Sequence, residues 1–271
     1  MADGNTAPVS PLPAQRLLGK VVLITGGGGT IGVETAARVL RDGARVALVD
    51  ISPDALATAK AKLTAFVLGG ESLVDSHILL LTADVTSNSM VEEYTRKTVD
   101  EFGRLDCVFL NAGISHPSMT VLESGEEMFD RVMHVNVKSA FLGLKHAAQA
   151  MKDLGKGGSI ILASSIAGLR GTPGKGVYAT SKFALRGLAT TAALELGEYG
   201  IRVNTIHLSG VNGPMFVQSW SEEKLKQLKA EMPLGRFAET YDVAGVVAFL
   251  AGDESQFMTG GFLKVDGGCA D

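Results

Sequence analysis

The chain has 271 residues with a formal net charge of −4, and 46% of them are hydrophobic, 20% charged and 6% aromatic. That is ample apolar material for a core, so disorder is excluded as the main state. The acidic balance and the lack of any basic block make nucleic acid and anionic membrane surfaces poor partners. The 33 glycines exceed the usual share of roughly 7% without any period, which points to tight turns and close backbone approaches.

Two cysteines, Cys107 and Cys269, build neither a disulfide framework nor a zinc site. The five histidines (His77, His116, His134, His146 and His207) are scattered with no pair at ligand spacing, so no metal site is expected. Residues 1–18, with Pro8, Pro11 and Pro13, are expected to be a flexible leader, and they lack the apolar segment of a signal peptide. No stretch approaches about 18 consecutive apolar residues. A reducing, cytoplasmic setting is the expectation.

Residues 19–271 then alternate short apolar runs with helical patterns. Val21–Ile24 is a continuous apolar run of the kind found in buried parallel strands, and it stops at a glycine cluster. A helix is expected over 30–42, a strand over 45–50, a helix over 53–67 and a strand over 77–83. A helix near 88–102 and a strand over 106–110 follow. Long helices over about 124–153 and 176–199 flank a strand over 159–163, and strands over 201–207 and 261–265 close the chain. Repeated strand–helix–strand order means a parallel sheet covered by helices on both faces. The one long irregular insertion, 208–235, carries Met215, Phe216, Trp220 and Met232 and suits a short helical lid over a pocket. Lys224, Lys226 and Lys229 on it read as a solvated face.

Directly after the first strand, Thr25-Gly26-Gly27-Gly28-Gly29-Thr30-Ile31-Gly32 opens the first helix. Glycines here allow a sharp turn and bring amide N–H groups against a pyrophosphate at the helix N-terminus. Asp50 closes the second strand, and a carboxylate about 20 residues beyond such a turn bonds both hydroxyls of an adenosine ribose. It would repel a 2′-phosphate, so the expected cofactor is NAD(H). Asp84-Val85 follow the third strand, where a carboxylate would lie near the adenine. Asn111-Ala112-Gly113 follow the fourth and put small residues where a cofactor would pass.

Tyr178 and Lys182 stand at i and i+4 and project from one helix face. Free tyrosine, with a pKa near 10, is too weak an acid to serve as a base at neutral pH, and a neighbouring ammonium favours its phenolate. Ser165, at the end of the fifth strand, is placed to donate to a carbonyl oxygen as charge develops there. Ser164 beside it offers a second hydroxyl. Asn136, in the helix before that strand, offers an amide that bridges to water or backbone.

These residues, with Arg202-Val203-Asn204 and the closing run Thr259–Gly268, resemble the short-chain dehydrogenase/reductase family from about Gly19 to Gly268. The resemblance implies an α/β architecture: a single-domain, doubly wound Rossmann fold with a seven-stranded, mostly parallel sheet and helices on both faces. It implies Tyr178 as general acid/base, Ser165 orienting the substrate oxygen, and Lys182 bonding the nicotinamide ribose while tuning Tyr178. It also implies a water-linked proton relay through Asn136. Cofactor contacts are expected at Gly26, Gly28, Gly29, Thr30, Ile31, Gly32, Asp50, Asp84, Val85, Asn111, Ala112, Gly113, Tyr178, Lys182 and Val211. Substrate contacts are expected at Ser165, His116, Met215, Phe216 and Trp220. The family is usually a homotetramer or homodimer.

Two departures stand out. Thr30 occupies a position where the family usually has glycine, and Gly213-Pro214 stand where it often has Thr-Pro, after Leu208-Ser209 in place of Pro-Gly. Restoring Gly213→Thr is expected to tighten NAD binding. The leading expectation is an NAD(H)-dependent alcohol dehydrogenase or ketone reductase acting on a lipophilic, cyclic molecule such as a terpenoid, steroid or polyketide. The alternatives are a non-catalytic cofactor-binding regulator, or an enzyme of this fold that epimerises or couples reduction to cyclisation.

Overall fold

The computed structural model describes residues 15–269. In chain order the regular elements are β1 (Val21–Thr25), α1 (Thr30–Arg41), β2 (Arg45–Asp50), α2 (Pro53–Leu63), α3 (Val74–His77), β3 (Ile78–Thr82), α4 (Asn88–Phe102) and β4 (Cys107–Leu110). They continue with α5 (Glu126–Met133), α6 (Ser139–Leu154), β5 (Gly158–Ser165), α7 (Gly176–Leu196), β6 (Ile201–Leu208), α8 (Pro214–Val217), α9 (Glu222–Ala230), α10 (Thr240–Ala251) and β7 (Phe262–Val265).

The strands form one seven-stranded sheet in the order β3-β2-β1-β4-β5-β6-β7, and every pairing is parallel. Side chains alternate across it, as the two-residue period of a strand requires. Val22 and Ile24 face a core built with Ala36, Val39 and Leu40 of α1, Leu56 and Leu63 of α2, and Val243, Val247 and Leu250 of α10. Val21 and Leu23 face the opposite core, which holds Val91 and Phe102 of α4, Met151 of α6 and Leu185 of α7. Burial on both faces explains why these strands read as unbroken apolar runs. Strand order reverses between β1 and β4, and ligands of open parallel sheets bind outside the strand ends at such a point.

Three features differ from expectation. Of the stretch 1–18 expected as a leader, residues 1–14 lie outside the described ones, and Arg16–Gly19 form a turn in which Leu17 is fully buried and its amide bonds Asp42 O. The helix expected over 124–153 begins at Glu126 and is interrupted by a π-turn at His134–Lys138. Helix α10 lies in a stretch where no element was expected. Its run Val243-Ala244-Gly245-Val246-Val247-Ala248 is apolar nearly all round, so it shows no amphipathic stripe. Its start carries a reciprocal cap, with Glu239 accepting from the backbone of Asp242 and Asp242 from that of Glu239.

Candidate active site

A cavity of about 1160 Å³ opens at the C-terminal ends of β1, β4, β5 and β6. Its floor at one end is the turn after β1. Gly26 there has φ +64°, the left-handed region that glycine enters without penalty. A Cβ on Gly32 would sit 2.3 Å from Gly26 O, and one on Gly28 would sit 2.6 Å from Ala55 Cβ. Glycine at these two positions therefore serves the packing of turn, helix and sheet, and neither residue lines the cavity. Gly26, Gly29, Thr30 and Ile31 do line it. Thr30 and Ile31 lie in the first turn of α1, whose amides have no partner within the helix.

Asp50, half-buried at the end of β2, also lines the cavity. Its carboxylate accepts from Gly28 N at 3.0 Å and Ser52 N at 3.1 Å, so the glycine turn itself aims the acid. Asp84 and Val85 do not reach the cavity. Asp84 Oδ1 takes the Thr86 amide and hydroxyl, both at 2.8 Å, and those bonds, the backbone one first, hold its carboxyl below the usual range. In Asn111-Ala112-Gly113 the Thr25 hydroxyl accepts the amides of Asn111 and Ala112. The Asn111 side chain donates to Thr25 O. All three residues line the cavity.

At the other end stand Ser165, Tyr178 and Lys182. The β5–β6 register sets Ser165 opposite Leu208, and the Ser165 hydroxyl donates to Leu208 O at 3.2 Å. Burial pushes the Tyr178 phenol pKa upward, and the neighbouring Ser165 hydroxyl opposes that push. Ser164 is 3% exposed and spends its hydroxyl on Lys182 O, so Ser165 is the serine beside the tyrosine. Lys182 is buried, donates to Ala163 O at 2.8 Å and lies 5.5 Å from the Tyr178 ring centroid. Burial pushes its ammonium down to about 8.

Asn136 sits in the π-turn, a distortion that often marks functional sites. Its Oδ1 accepts Ile114 N at 2.8 Å, and its Nδ2 donates to Ile114 O and Ser181 Oγ. It thus ties the loop after β4 to α7 from behind the cavity wall and does not line the cavity. His116, expected as a substrate contact, is buried and faces away. Its Nδ1 bonds Pro117 O at 2.7 Å and its Nε2 accepts the Tyr178 amide at 3.2 Å, which places the ring proton on Nδ1. It positions the start of α7 instead.

Val211, Met215, Phe216 and Trp220 line the cavity, with Leu228, Met232 and Phe237. Phe216 and Phe237 meet edge to face at 4.9 Å. Lys224 lines it too, unlike the exposed Lys226 and Lys229, so only part of the expected solvated face is solvated. Sequence reasoning passed over Lys175, a buried cation in the cavity wall. A lone lysine in a glycine-rich loop carries no spacing signal that would have singled it out.

Among the described residues no cluster of histidine, cysteine or acidic groups is suited to a metal, and no helix is long and apolar enough to cross a membrane. The glycine cradle, the open helix N-terminus and the carboxylate at the end of β2 instead fit a dinucleotide. A serine, a tyrosine and a lysine stand at the cavity's far end. A redox site on a dinucleotide-binding fold is the class these parts define.

Comparison with known proteins agrees. The family described as Enoyl-(Acyl carrier protein) reductase matches residues 28–270. Levodione reductase of Leifsonia aquatica is 34% identical over 268 residues, covering 94% of this chain and 96% of that protein. A crystal structure of levodione reductase matches with TM-score 0.88 at 33% identity, over 93% of this chain and 98% of its own. Trans-4-hydroxycyclohexanecarboxylate dehydrogenase of Sinomonas cyclohexanicum is 36% identical over 255 residues, 94% of each chain. NAD+-bound xylitol dehydrogenase matches with TM-score 0.85 at 34% identity, over 93% of this chain and all of that one. The chain belongs to the short-chain dehydrogenase/reductase family. It is an oxidoreductase of the alcohol and ketone type, built on a nicotinamide-binding fold.

Proposed function

We propose that the protein uses NAD(H) to interconvert a secondary alcohol and a ketone on a lipophilic, cyclic small molecule. The observation that carries the cofactor choice is Asp50, held in the cavity wall by the Gly28 and Ser52 amides. Fixed there, it suits the two ribose hydroxyls of NAD and opposes the 2′-phosphate of NADP. The structure of NAD+-bound xylitol dehydrogenase is in keeping with this. Met215, Phe216, Trp220, Met232 and Phe237 give the substrate end an apolar wall, supporting the lid reading of 208–235. A relative named for a hydroxycyclohexane acid supports a cyclic substrate.

The bound nicotinamide supplies the hydride acceptor or donor. The protein's own groups handle the proton. In the oxidative direction the Tyr178 phenolic oxygen takes the alcohol proton, and the Ser165 hydroxyl holds the substrate oxygen. The Lys182 ammonium favours the phenolate and would bond the nicotinamide ribose. Asn136, fixed between Ile114 and Ser181, supports the relay that returns the proton to water.

Side-by-side titration with NADH and NADPH tests the cofactor assignment. NADH should bind more tightly, and equal or reversed affinity would overturn it. Tyr178→Phe should lose about 10²-fold to 10⁴-fold in turnover while still binding NADH. Retained turnover would remove Tyr178 from the chemistry.

We also propose a homodimer or homotetramer. Phe129 and Phe141 are 43% and 49% exposed. Phe141 lines a shallow hollow with Met133, Val137 and Leu188 on α5, the π-turn, α6 and α7, apolar surface that favours burial against another copy.

A further inference from the structure

Lys175 has no role in the chemistry above. It stands at the cap position of α7, three residues before Tyr178, and is 4% exposed although it lines the cavity. Its ammonium donates to His116 O and approaches Ser115 Oγ at 3.4 Å. Both partners are neutral. Among the described residues Lys175 forms no ion pair, and burial lowers its pKa with no nearby carboxylate to offset the effect. An ammonium has three N–H donors, so these contacts leave one without a partner.

Holding the loop after β4 does not explain this lysine. That loop is already tied by a parallel bridge between Met119 and Lys175, by Met119 N to Gly174 O at 3.0 Å, and by Tyr178 N to His116 Nε2. Burying a charge without a counter-charge is strongly unfavourable, and at a ligand-sized cavity the counter-charge is supplied by what binds. The Trp220 ring centroid lies 5.1 Å from the ammonium and walls the same corner.

We propose that Lys175 and Ser115 form a subsite for a carboxylate on the substrate, under Trp220. The substrate class is then a hydroxy or oxo acid: an apolar frame with the reacting carbon at Tyr178 and a carboxylate at its other end. This rests on the reading of Tyr178 as the reacting end, but the subsite is testable without turnover.

Trp220 is the only tryptophan in the chain, so its emission reports on this corner alone. Cyclohexanecarboxylate and its neutral counterpart cyclohexanecarboxamide are titrated into the full-length protein, with and without NAD+. The carboxylate should bind about tenfold more tightly or better, the effect of a hydrogen-bonded charge. Lys175→Met should bring the ratio of the two affinities close to one, and Lys175→Arg should keep most of it. Because the readout is a ratio within each variant, general damage cancels. If Lys175→Met does not fold, the wild-type ratio and Lys175→Arg still decide. Equal affinity in the wild type, binding of neither probe, or a preference that survives Lys175→Met would each overturn the subsite. A failed NADH titration with the carboxylate preference intact would overturn the cofactor reading and leave the subsite standing.

Discussion

At the scale of single residues, Thr30 and Gly213 answer one another. A Cβ on Gly213 would come within 3.1 Å of Thr30 Oγ1, so a threonine restored at 213 alone crowds the one already at 30. This revises the expectation that Gly213→Thr by itself tightens NAD binding. The double variant Thr30→Gly/Gly213→Thr should bind NADH better than Gly213→Thr does, and a four-corner comparison of NADH affinities should show coupling of about 0.5 kcal/mol or more. Additive effects would mean the two residues act separately. Lys182 carries a second expectation. Burial holds its pKa near 8 against 10.5 for the free side chain. Between those values the unfolded chain binds the extra proton, so this group's contribution to stability rises with pH through that window and is at its most unfavourable below pH 8. Lys182→Met should therefore melt above the wild type at pH 7, by about 3 kcal/mol at most, with the two curves converging towards pH 10.5. Parallel curves would rule out the buried ammonium as the cause. Spacing alone did not separate Ser165 from Ser164, because adjacent hydroxyls differ only in which side of the strand they take; it was the family resemblance that pointed to Ser165. His116 was misread for a similar reason: its direction depends on a contact with Tyr178 that the chain closes only on folding.

At the scale of elements, the turn after β1 was legible because a glycine run set directly between an apolar strand and a helix is a contiguous signal. Gly32→Ala puts a methyl 2.3 Å from Gly26 O, a contact that backbone movement alone relieves. It should weaken NADH binding by about tenfold or more, with an overpacking penalty of about 1–3 kcal/mol. NADH titration and thermal melting measure the two effects, and normal affinity would mean that the turn is not what holds the cofactor. The strands were legible as continuous apolar runs. The π-turn was not, because one extra residue within a long helix leaves the apolar spacing on both sides intact. Helix α10 was missed for the opposite reason: nothing polar interrupts it to mark a face.

At the scale of the whole molecule, the alternation of strands and helices announced the parallel sheet. Strand order is a different matter, because it is set by contacts between segments far apart in sequence. Bringing Asp50 and Tyr178 to one cavity likewise requires β2 and β5 to sit on opposite sides of the reversal between β1 and β4. The apolar surface on α5 and α6 has its own test. Phe141→Asp should lower the sedimentation coefficient toward that of a single chain while leaving the fold's circular dichroism unchanged, and an unchanged assembly would locate the contact elsewhere.

The π-turn at His134–Lys138 also sets a limit on how this protein can be improved. Deleting one residue there would regularise the helix from Glu126 to Leu154, and a stabilised variant found by screening for heat resistance alone could arrive at that deletion. Each residue of an α-helix turns the chain by about 100°, so the gain in helical order would swing Asn136 off Ile114 and Ser181 and release the wall behind Lys182. With Asn136 in the relay proposed above, selection for robustness alone at this position should be expected to erode turnover.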